Sequence, residues 1–138
     1  VANDQKFEEK YLDVLQNIEF GIVNVYRQHP DLTNWDAMDA VEALIRHYTA
    51  EVRNRTPPTV SLSERSQLVF DSVKAMCEWR LGREELLDQD DRPVGPDMEP
   101  KTVDEIIACL KRIRRSIRFW EKKGGRQGYL NFISEFVK

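Results

Sequence analysis

Six polar residues fall on the apolar faces of helical patterns: Glu19, His47, Glu51, Arg80, Glu84 and Arg114. Glu8 falls on the same side of its segment. Carboxylates and a histidine directed into a helical bundle are what a di-iron carboxylate centre requires, or a Mg²⁺ site for phosphate chemistry. The spacing argues against both. His47 and Glu51 form a single His-x-x-x-Glu, not paired Glu-x-x-His motifs. Arg80 and Arg114 act as internal counter-ions that a metal site does not need. The favoured reading is ion pairs, Glu19 or Glu51 with Arg114 and Glu84 with Arg80, which specify geometry more than they stabilise. No metal ligand, catalytic residue or cofactor is assigned.

The second candidate is cationic. Lys111, Arg115, Arg118 and Lys122 stand at i, i+4, i+7 and i+11, so they share one stripe of a helix, with Phe119 close by. Like charges at i,i+4 repel by about 0.2–0.5 kcal/mol a pair. The stripe therefore invites an acidic helix, a partner protein or a polyanion. Phosphate contacts beside the aromatics Phe119, Trp120 and Tyr129 suit a nucleic acid. That alternative is not favoured, because the chain carries a net charge of −3 and lacks the strongly basic balance of most nucleic-acid binders.

Nucleophilic chemistry has little support. Cys77 and Cys109 sit on inward faces and match no metal or redox spacing. The two histidines are His29, which precedes a proline, and His47. No phosphate-binding loop, dinucleotide fingerprint or nucleophile elbow occurs. The aspartates of residues 88–101 do not fit a calcium loop either, because Arg92 takes a ligand position and the glycine is displaced.

The elements that must position these residues are helical. Apolar spacings of three and four predict helices over about 4–28, 35–54, 62–87, 103–123 and 126–137. Thr33 with Asp36, Ser61 with Glu64, and Thr102 with Glu105 are expected caps. Gly21 interrupts the first helix and suggests close approach of another backbone. Residues 88–101 hold three prolines and five acids and read as a mobile acidic loop. Together these predict an all-α domain spanning 1–138, a four-helix bundle with a short fifth C-terminal helix.

Charge is unevenly spread. Residues 1–100 carry 20 acids against 11 bases, and residues 101–138 carry 10 bases against 4 acids. The halves attract each other within one fold, or form a bipolar surface that stacks subunits. Trp35, Trp79, Phe20 and Phe119 point away from the main apolar faces, which suggests a second apolar surface. No apolar run reaches the roughly 18–20 residues of a membrane span and no signal-peptide pattern is visible, so a cytoplasmic protein without membrane association is expected. The preferred function is a non-catalytic protein-interaction module forming homo-oligomers or binding another protein. Alternatives are a nucleic-acid or polyanion binder through the stripe and a metal-dependent bundle enzyme.

Overall fold

The computed structural model describes residues 2–95 and 99–136, with side chains described from Tyr11 to Glu135 outside 96–98. Phe7, Glu8, Phe136 and Val137, named above or within the expected helices, lie outside the side chains so described. The fold is all-α and bundle-like, with a short C-terminal helix. Its helices are α1 (Ala2–Gln28), α2 (Asn34–Val52), α3 (Glu64–Arg80), α4 (Val103–Glu121) and α5 (Gly125–Phe136). No helix among the described residues is long and apolar enough to cross a membrane.

Each helix buries one stripe. Val14, Ile18 and Ile22 of α1 meet Val41, Leu44 and Tyr48 of α2, Val69 and Val73 of α3, and Ile106, Leu110, Ile113 and Ile117 of α4 in one core. Tyr129 and Ile133 of α5 close it. The main packing pairs are α1 with α3 and α2 with α4, while α5 lies against α4 and α1. Gly21 brings α1 and α3 together. A Cβ there would stand 3.0 Å from the Ser72 carbonyl oxygen. The Ser72 hydroxyl donates to the Gly21 carbonyl at 2.7 Å.

The capping boxes at Thr33 and Thr102 form. The third cap is corrected: Ser63, not Ser61, accepts from the Ser66 N–H and starts α3. Its end is corrected too. α3 stops at Arg80, seven residues short of the expected 87. Gly82 takes a left-handed φ of 76°, and Arg83 N–H donates to the Glu78 carbonyl at 2.9 Å. That is the hydrogen-bonded ending a glycine just beyond a helix permits.

The chain then forms a small hairpin, whose first strand falls in the stretch expected to be helix and whose second falls in the stretch expected to be loop. β1 (Leu86–Leu87) pairs antiparallel with β2 (Pro93–Val94), Leu86 opposite Val94. Asp88 Oδ1 accepts from the N–H groups of Asp90 and Arg92 and shapes the turn. The Trp79 indole N–H donates to the Val94 carbonyl at 2.8 Å, which ties the hairpin to α3.

Candidate interaction groove

The structure does not gather the six polar residues into one cluster. Arg80 is fully buried, and its partners are on α1: Asp13 Oδ2 at 3.1 Å and Asn17 Oδ1. Glu84, its expected partner, is exposed because it follows the end of α3. Glu51 pairs with Arg83 through two contacts of 2.6 and 2.8 Å, not with Arg114. Arg83 also stands 3.6 Å from Glu78, which accepts from the Tyr48 hydroxyl at 2.8 Å. His47 rests edge-on against Tyr48, and burial lowers its pKa. Arg114 is half-buried and makes no ion pair with a described residue.

Glu19 is buried. Burial pushes the neighbouring Tyr129 phenol upward, and the Glu19 charge adds to that. Cys109 is pushed up to about 12 by burial first and by the charges of Asp13, Glu105 and Glu19 next. Cys77 shifts the same way, chiefly by burial. Both thiols stay protonated at neutral pH and pack as small core residues. Among the described residues, no three His, Cys, Asp or Glu side chains form a ligand set for a metal.

The basic stripe is partly used by the fold itself. Arg118 reaches across to Glu42 of α2 at 3.1 Å. Arg115 is engaged as well. Lys111 and Lys122 are exposed, as is Phe119. Lys123 Nζ lies 5.1 Å from the Phe119 ring centre.

Where α4 ends beside the start of α2, a groove of about 470 Å³ opens. Asn34 builds its floor. As the first residue of α2 it faces inward and is fully buried. Its Oδ1 accepts from the Tyr26 hydroxyl at 2.7 Å, and its Nδ2 donates to Glu121 Oε2 at 3.3 Å. Burial raises the Tyr26 phenol, so it stays a donor. This chain of bonds joins α1, α2 and α4 beneath the groove.

One residue further along α2, the helical turn sends Trp35 outward, 63% exposed. Trp35 and Met38 supply the apolar part of the lining. The α2 wall is acidic, with Asp39 and Glu42, and the α4 wall carries Arg118 and Lys122. Of the four aromatics expected to form a second apolar surface, Trp35, Phe20 and Phe119 are exposed. Trp79 is half-buried and bonded to the hairpin.

Asn34, Met38 and Glu121 escaped the sequence reading, although Asn34 directly follows a recognised cap. Arg126 escaped too. It follows Gly124 and Gly125 and looks like an extension of the basic stretch. In the fold its Nε donates to the Leu32 carbonyl at 2.6 Å and its Nη2 to the Tyr26 and His29 carbonyls. Its guanidinium also lies over the Tyr26 ring, 4.7 Å from the centroid. Comparison with models of known families, with curated proteins and with solved structures returned no match to this chain.

Proposed function

We propose that this chain is a non-catalytic interaction module that self-associates through the α2–α4 groove. The observation that carries this reading is Trp35, most of whose surface is open to water at the mouth of a concavity with an acidic and a basic wall. A large exposed aromatic beside a groove is a typical anchor of a protein interface.

The two walls favour a second copy as the occupant. A two-fold axis makes each interface patch face itself. The Asp39 wall of one protomer then meets the Lys122 wall of the other, and the reverse. Charge complementarity of this kind fixes register and suppresses wrong partners.

Sedimentation over a range of concentrations tests the proposal. The expected result is a reversible dimer that Trp35→Glu shifts toward monomer, raising Kd by about thirtyfold or more. Folding stability should stay within about 0.5 kcal/mol, since the residue is exposed. Asp39→Lys and Lys122→Glu should each weaken the dimer, and combining them should restore it. A monomer at all concentrations, or a dimer indifferent to Trp35→Glu, would overturn the proposal.

A further inference from the structure

A second concavity, of about 280 Å³, lies at the other end of α2 and has a different chemistry. Arg46, Arg53 and Arg55 line it, with Thr49 and Thr56. The backbone explains the convergence. Arg46 and Arg53 are seven residues apart, two turns of one helix face. Arg55 lies beyond the helix and would ordinarily point elsewhere. Asn54 takes a left-handed φ of 52°, and the Arg55 N–H donates to the Ala50 carbonyl at 2.8 Å. That bond folds the chain back over the last turn and delivers the third guanidinium. Pro57 and Pro58 then hold φ nearly fixed in the exit segment.

Several guanidinium groups of this molecule meet carboxylates: Arg65 has Asp36, Arg80 has Asp13, Arg83 has Glu51 and Arg118 has Glu42. Arg46, Arg53 and Arg55 make no ion pair with a described residue, although acids outnumber bases in the chain. Arg46 also borders a neighbouring depression that contains Asp39 and Glu42, yet it reaches neither at ion-pair distance. No carboxylate lines the arginine concavity among the described residues. The partial negative charge of the last α2 carbonyls, about half a unit, favours one cation nearby and leaves most of three unanswered.

We infer that the Arg46–Arg53–Arg55 concavity binds a phosphate-class oxyanion. Guanidinium forks match phosphate oxygens two at a time, and Thr49 and Thr56 offer hydroxyl donors beside them. The lining contains no aromatic among the described residues, so nothing there would stack a nucleobase. The ligand is therefore a phosphoryl group read without a base, either a free inorganic anion or a phosphate carried on a polypeptide.

Isothermal titration of the full chain at low salt tests this, with inorganic pyrophosphate and a short phosphoserine peptide as probes and the unphosphorylated peptide as control. Pyrophosphate binding at one site per chain supports the inference with a free anion. Binding of the phosphopeptide alone supports it with a polypeptide source. Arg53→Gln and Arg55→Gln should each weaken binding about tenfold, without shifting the thermal midpoint. Lys111→Gln, on the exposed stripe of α4, should leave it unchanged. Failure of both probes to bind, or equal loss in the arginine and lysine variants, would overturn the inference.

Discussion

Arg80 is fully buried while its carboxylate partner Asp13 is about half exposed. Burial raises the Asp13 carboxyl, but the Arg80 hydrogen bond, the Val14 N–H and the charges of Arg80 and Lys101 outweigh it and hold the pKa below the usual 3.8. The folded state thus takes up its proton later than the unfolded chain. The Asp13 contribution is present above pH 4 and disappears as pH falls through the folded value. Asp13→Asn should cost about 1 kcal/mol at pH 7, less than a fully buried pair because solvent screens the carboxylate. Urea unfolding should show that difference shrinking as pH falls below 3.8 and through the folded value.

His47 adds a separate step: its pKa lies below 6.5 chiefly through burial, so its contribution is lost as pH falls below that value. The step should persist in Asp13→Asn. Helical spacing placed Arg80 inside, but the same spacing assigned it to Glu84. The real partner comes from another helix, and no local pattern encodes that pairing.

Helix ends and helix contacts were legible to different degrees. The caps at Thr33 and Thr102 are local chemistry and were read directly. Gly82 is local as well, and it is the signal that α3 stops. The apolar residues Leu81, Leu86 and Leu87 continued the helical rhythm past it and hid the hairpin. A two-residue ladder held by one indole bond offers too little alternation to be seen in sequence.

Gly21 is the opposite case, since its meaning depends on a distant neighbour and its type alone revealed it. Gly21→Ala gains about 1 kcal/mol of helix propensity. It also drives a Cβ to 3.0 Å from the Ser72 carbonyl oxygen and 3.2 Å from Val73 Cα, backbone atoms that cannot rotate away. Overpacking of this kind costs roughly 1–3 kcal/mol. The expected net result is a loss of about 1 kcal/mol in chemical denaturation, with α1 and α3 amides exchanging faster than those of α2.

Across the molecule, the basic last third does not simply neutralise the acidic remainder. Arg118 meets a carboxylate, but Arg126 goes to three carbonyls around the α1–α2 connection. It supplies a donor to the Tyr26 carbonyl, whose helical partner four residues on would be Pro30, which has no N–H. Through it, α5 is clamped to the α1–α2 corner while Tyr129 and Ile133 complete the core. Arg126→Ala should lower stability by about 2–3 kcal/mol, because charged hydrogen bonds to partly buried carbonyls are lost together. Lys cannot reproduce the fork or the stacking on Tyr26, so Arg126→Lys should recover less than half of the loss. Denaturant midpoints of both variants check this.

The three tryptophans occupy three different mechanical parts. Trp35 stands in water on the groove, Trp79 bonds to the hairpin, and Trp120 stacks on Phe132 of α5 with ring centres 5.2 Å apart. Chains retaining one indole each would give three separate fluorescence channels. Trp35 emission should be red-shifted and readily quenched by iodide. Trp79 and Trp120 emission should change only when the hairpin or the C-terminal helix lifts. Groove occupancy, hairpin opening and α5 release could then be timed independently, with no dye attached.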